Sequence, residues 1–208
     1  MSIKLQELPK MNIKKHFRTL YFFFAKRRLR NKNFTVISNN CIAGCILHDL
    51  GMRFDTPTIN LFIPFPDFIQ FLRNLKENLA KEIVDISGDS PYPIGLMGGQ
   101  IHIHFLHYKD FDSALESWRK RTKRIHWDKI FFVLVERDGC TKKDLMDFSA
   151  LAYKYKVALT HRAYDNLETF TITGFENDKE LGNIMVDKGM LGKKYYDQFD
   201  WIRFFNQV

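Results

Sequence analysis

A chain of 208 residues that is 45% hydrophobic and 27% charged has room for one ordinary globular core. Its three cysteines, Cys41, Cys45 and Cys140, are too few for a disulfide framework and fit a reducing compartment. No apolar run approaches the ~20 residues that span a bilayer, and the patch Tyr21 to Ala25 is shorter than the ~7–15-residue core of a secretory signal, so the chain reads as cytoplasmic. The net charge of +8 is unevenly placed, because residues 1–32 hold ten Lys or Arg against Glu7 alone and the remainder is close to neutral. A basic arm on a neutral body lacks the broad positive face expected of a nucleic-acid binder.

That arm is amphipathic. Ile13, Phe17, Leu20 and Phe24 recur at helical spacing, with Lys14, Lys15, Arg18 and Lys26 on other faces. The favoured reading packs the aromatic stripe on the domain; the alternative rests residues 12–30 on an anionic membrane surface as a peripheral contact. The expected boundaries are a basic arm over 1–32 and a single α/β domain over 33–208.

Phe34 to Ser38 reads as a β-branched strand, followed by a polar turn and a helix from Cys41 to Leu50 that Gly51 stops. Thr58 to Ile63 is an almost unbroken apolar run, as expected of a strand buried on both faces. Asp67 is the expected N-cap of a helix over 68–79. Ile94 to Met97 and Ile101 to Tyr108 form a hairpin, and 110–125 is a helix with a dense basic run. Ile130 to Val135 is another buried strand, turning through Glu136, Arg137, Asp138 and Gly139 into a helix from Lys142 to about Leu151. Val157 to Thr160 and Thr169 to Thr173 are further strands, and an aromatic, glycine-punctuated tail follows. The alternation predicts a three-layer, Rossmann-like α/β domain with a mostly parallel sheet, an inserted β-hairpin and a basic N-terminal helix.

Parallel strands gather their carboxyl ends at one edge, where open α/β sheets bind ligands. Here that edge collects Ser38, Asn39, Asn40 and Cys41 from the first strand, Arg137 and Asp138 from the fifth, and His161 beyond the sixth. Ser38, Asn39, Asn40 and Arg137 are the candidate substrate-binding groups, because amides and guanidinium groups hold anions or a developing oxyanion. Cys41, Asp138, His107 and His161 are the candidate catalytic groups. A thiol at a helix start is lowered in pKa by the local dipole, although a free cysteine is as often a small buried hydrophobe. Cys41, Cys45 and His48 fit no usual zinc spacing, and His102 and His104 share a strand face that His107 does not, so no metal site is expected. Asp110 and Asp112 resemble a nucleotide-sugar DxD element, but helix capping by Asp110 is the better reading. Dinucleotide, P-loop, serine-hydrolase and zincin motifs are absent from the sequence.

Several phrases together resemble a bacterial domain-of-unknown-function family, nineteen-nineteen, whose members are labelled exopolysaccharide biosynthesis proteins. They are FTVISNNCIAG (34–44), HDLG (48–51), TPTINLFI (56–63), YPIG (92–95), IHFLHYKD (103–110), ESWRKRTKRIHWDKI (116–130) and ERDGC (136–140). Where the family pattern has paired glycines after the cysteine, this chain has Ala43-Gly44. The resemblance implies an α/β domain and a setting of surface-polysaccharide synthesis, and it supplies no catalytic residue. The expectation is a transferase, acyl ahead of glycosyl, acting on a sugar or polysaccharide precursor with an acyl-CoA or a nucleotide sugar as donor. The alternative is a non-catalytic carbohydrate-binding or scaffold protein docked to a membrane-bound synthesis complex.

Overall fold

The computed structural model describes residues 13–189 and 192–207. Its centre is a four-stranded parallel sheet of β1 (Thr35–Ser38), β5 (Ile130–Val135), β6 (Lys156–Thr160) and β7 (Thr169–Thr171), in that order. Register pairs Ser38 with Val133 and Val135 with Leu159, so β5 and β6 reach beyond β1 at the carboxyl end. Strand order follows chain order without the mid-sheet reversal of a doubly wound Rossmann sheet. Likeness to that fold therefore stops at parallel strands covered on both faces.

Side chains alternate across this sheet and split the core in two. Val36, Phe131, Val133, Val135 and Leu159 face one apolar cluster, with α2 (Ile42–Asp49), α7 (Trp201–Phe205) and part of α1 (Ile13–Arg27). Ile37, Phe132, Leu134 and Ala158 face the other, against α3 (Asp67–Arg73), α5 (Phe111–Thr122) and α6 (Lys142–Ser149). A separate antiparallel sheet of β2 (Ile83–Asp85), β3 (Ile94–Met97) and β4 (Ile101–His104) adds its apolar face to the second cluster. The expected hairpin thus gains a third strand, β2, whose three residues are too short to show a period.

Three expectations change. Thr58 to Ile63 is buried but is no strand: Asn60 takes a positive φ of 61°, and only Phe62 pairs, with His104. The segment instead covers the edge of β1 through irregular bonds, Ile63 N–H to Asn39 O (2.8 Å) and Ser38 N–H to Thr58 Oγ1 (3.1 Å). The helix over 68–79 breaks at Asn74 into α3 and α4 (Leu75–Asn78), and the buried Asn78 amide donates to the Gln70 and Phe71 carbonyls that the break exposes. Asp67 is the first helical residue rather than the cap, and its carboxylate takes the N–H and the ring Nδ1 of His102, both at 2.7 Å. Other ends follow sequence chemistry. Asp110 caps α5 by accepting from Ser113 N–H, and Gly51 (φ 57°) closes α2 with Gly51 N–H on His48 O and Met52 N–H on Leu47 O.

The aromatic stripe of α1 does not pack on the domain. Phe17, Leu20 and Phe24 are about half exposed, and the helix docks through Arg18, Phe22 and Ala25 instead. The Ile13 and Lys15 side chains lie outside the described residues, as does the arm before residue 13. Polar chemistry overrides the apolar pattern here. The Arg18 guanidinium, largely buried, pairs with Asp49 at the end of α2 and Asp197 in the tail, and donates to Tyr196 Oη (2.7 Å) and Gly192 O (2.9 Å). Burial works against its charge, but hydrogen bonds to Asp49 and Asp197 outweigh that and raise its pKa. Arg18→Met leaves both carboxylates buried without their cation, so urea denaturation should show a loss of ~3–5 kcal/mol. A loss below ~1 kcal/mol, the range of a surface ion pair, would mean that the cluster does not hold the helix.

Candidate functional site

The carboxyl edge of the sheet is built from side chains that extend the strands' own hydrogen bonding. Beyond β1, the Asn39 amide continues the ladder to β5: Nδ2 donates to Val135 O (3.1 Å) and Oδ1 accepts from Val135 N–H (2.9 Å). Asn40 Oδ1 accepts from Ile42 N–H (3.1 Å), while Ser38 Oγ donates to Asn40 O (2.6 Å) and accepts from Ala43 N–H (3.3 Å). These bonds satisfy the first free N–H groups of α2. All three side chains are buried and spent on the fold. The expected anion-binding turn works within the fold as a splice, through Ser38 Oγ, the Asn39 amide and Asn40 Oδ1.

Cys41 follows the splice and is half-buried, its thiol 3.6 Å from Leu61 O. Burial, with Cys45 as a neighbour, pushes its pKa up to about 11, against smaller opposing effects of the Leu61 bond and Arg137. Desolvation therefore outweighs the helix-start dipole on which the nucleophile reading rested. Burial also raises Cys45 and Cys140.

The group that gathers this edge is Glu136, the first residue past β5, with 1% of its surface exposed. Its Oε2 accepts from the His161 backbone N–H (2.8 Å) and stands 2.7 Å from His161 Nδ1; its Oε1 accepts from Tyr164 Oη. Its carbonyl accepts from Leu181 N–H (2.9 Å), which brings the tail to the same edge. Burial and then the Glu136 carboxylate raise the Tyr164 pKa, so the phenol stays a donor. His161 is itself only 3% exposed. Its Nε2 makes no hydrogen bond to the described residues. A carboxylate that fixes one ring nitrogen and leaves the other without a partner is an arrangement that a general base can use.

The other expected groups divide. Arg137 is partly buried at the rim and binds Asp138 at 2.9 Å; Asp138 is exposed, in a left-handed turn with φ 57°. The two form an ion pair rather than a free anion hook and a free acid. His107 is exposed in the turn after β4, its N–H 3.4 Å from Asn60 O. Sequence reasoning put His161 among the candidates at this edge, placed Glu136 at the same strand end without singling it out, and did not mark Tyr164. An acid placed directly after the apolar run IFFVLV was the available signal for Glu136; nothing in the loop sequence marks Tyr164. Among the described residues no group of three or more His, Cys, Asp or Glu could hold a metal.

Comparison with known proteins adds a family to this geometry. The model of the family described as Domain of unknown function (DUF1919) matches residues 12–206, nearly the whole chain. The chain belongs to the DUF1919 family. It is also 39% identical over 184 residues to an uncharacterized protein of Haemophilus influenzae, covering 88% of this chain and 89% of the other. Neither description names a reaction or a substrate.

For this DUF1919 chain the buried thiol makes a direct prediction. With a pKa near 11, Cys41 should be alkylated by iodoacetamide at pH 8 roughly a hundredfold more slowly than a free cysteine, whose pKa is about 8.5. Peptide mass spectrometry over a time course reads the rate, and rapid labelling of Cys41 near pH 6 would restore it as a nucleophile.

Proposed function

We propose that the protein transfers a group to a hydroxyl of a sugar or polysaccharide precursor in cell-surface polysaccharide synthesis, acyl transfer ahead of glycosyl transfer, with His161 as general base. The observation that carries this reading is the Glu136–His161 pair at the carboxyl edge, its Nδ1 fixed and its Nε2 without a hydrogen bond among the described residues. The polysaccharide setting rests on the family resemblance alone.

With Nδ1–H given to Glu136, Nε2 keeps its lone pair. In transfer from an acyl-CoA, Nε2 takes the acceptor's hydroxyl proton as that oxygen attacks the thioester carbonyl carbon. The C–S bond then breaks, and the same proton passes from Nε2 to the departing thiolate. Glu136 stabilises the imidazolium that forms and is itself held by Tyr164. Arg162, exposed and next after His161, is the cation offered to the phosphates of either donor. With a nucleotide sugar, the same base serves the attack on the anomeric carbon and the leaving group is the nucleoside diphosphate.

Full-length protein with acetyl-CoA and an oligosaccharide acceptor should release thiol, and His161→Ala should lower that rate by ~10²–10⁴-fold. Because His161 is buried, the melting temperature of each variant is measured alongside, and Tyr164→Phe, which keeps the ring, should lose far less activity. A His161→Ala protein that folds and turns over at the parent rate overturns the assignment. So does a parent that neither turns over nor is thermally stabilised by acyl-CoAs or nucleotide sugars, since a donor that binds the native state raises its apparent stability.

A further inference from the structure

The N-terminal helix turns its aromatic side outward. Phe17, Leu20, Tyr21 and Phe24 follow the 3- and 4-residue steps of one helical face and are 48 to 54% exposed, with Phe23 beside them. They supply half of the large apolar residues that the described chain exposes, all within eight positions. Scattered exposed apolar residues need no explanation, but a contiguous patch of this kind marks a contact surface.

The face cannot be a loosely docked core stripe. Arg18, Phe22 and Ala25 occupy the opposite side, and rotating the stripe inward would pull Arg18 out of its bonds to Asp49, Asp197 and Tyr196. The helix is therefore held with its aromatics in water. Around them stand exposed Lys14, Arg27, Arg28 and Lys193, with Arg30 just beyond the helix. Arg27 also lies over the Phe23 ring, 4.2 Å from its centroid, so the charged and aromatic groups form one surface.

We infer that this face of α1 docks the protein on an anionic membrane surface, the aromatics entering the headgroup boundary and the basic rim meeting lipid phosphates and carboxylates. Charge decides the occupant. A second copy of the same face would set two basic rims against each other, whereas an anionic bilayer complements both the rim and the apolar stripe. No helix among the described residues is long and apolar enough to cross a membrane, so the contact lies on the surface. The inference is independent of the transfer reaction and stands or falls without it.

Co-sedimentation of the full chain with phosphatidylcholine vesicles, with and without phosphatidylserine, tests it. Binding should appear with the anionic lipid, weaken by roughly tenfold or more without it, and weaken again in high salt. The triple change Phe17→Ser, Leu20→Ser, Phe24→Ser touches only exposed side chains; it should keep the parent melting temperature and lose at least about tenfold in binding. Arg27→Glu with Arg28→Glu should lower binding to the anionic vesicles alone. Absence of binding to either vesicle, or equal binding by the triple variant, overturns the inference. So does a lipid-free dimer in sedimentation velocity that the triple change dissolves, which would assign the face to a second copy.

Discussion

A single buried carboxylate organises the carboxyl end of the parallel sheet. Glu136 is placed by the last turn of a fully apolar strand, where an ionised group is costly unless its lone pairs are met. Three donors meet them, from the backbone and ring of His161 and the phenol of Tyr164, and the Glu136 carbonyl takes the tail at Leu181. The loop after β6 and the segment after residue 180 thus converge on one residue. Removing the acid would strand each of these donors, so the conformation of both segments follows from its satisfaction. The same bonds that make the network stable leave one imidazole nitrogen, His161 Nε2, outside it.

Neighbouring polar residues at this edge show why composition alone misleads about sites. Asn39 and Asn40 have the side chains that oxyanion holes use, and they stand where a parallel sheet places ligands. The Asn39 amide instead substitutes for backbone groups that β1 is too short to provide, because β5 reaches past Ser38 and needs a partner at Val135, while Asn40 Oδ1 takes a free N–H of α2. A buried N–H at a strand end has to be paired by something, and a side chain next in sequence does so with little loop entropy. Cys41 inherits the burial that this splice creates. Its thiol is shielded by the same packing that an activated thiol would have to escape.

What was legible in the sequence follows from how local each cause is. The strands 35–38, 130–135 and 156–160 and the helices 111–122 and 142–149 announce themselves by apolar runs, caps and periodicity, causes that act within a few residues. Thr58 to Ile63 does not, because burial on both sides writes the same apolar run whether or not the segment pairs as a strand. The break at Asn74 depends on Asn78 reaching back to two carbonyls, and the direction of α1 depends on Arg18 finding acids at positions 49 and 197. Glu136, His161 and Tyr164 meet only because β5 and β6 are neighbours. Partners this far apart in the chain leave no periodic trace, so the sequence placed His161 and Glu136 at one sheet edge without showing that they bond to each other and to Tyr164.

The two regions of interest are mechanically joined. Helix α2 begins at the Asn39–Cys41 splice and ends at Asp49, which grips Arg18, so one rigid element of eight residues, ~12 Å long, links the carboxyl edge to α1. The tail makes a second link: Leu181 binds Glu136, Ile184 O accepts from Tyr196 N–H, and Tyr196 and Asp197 bind Arg18. Both links bury their ends in the same apolar cluster, so α1 cannot tilt without disturbing α2 and the tail together. A surface held by α1 would therefore fix the height and orientation of the Glu136–His161 edge above it. Under the proposed function, such a geometry would restrain which substrates reach His161 by where they are carried, before any contact with the site discriminates among them.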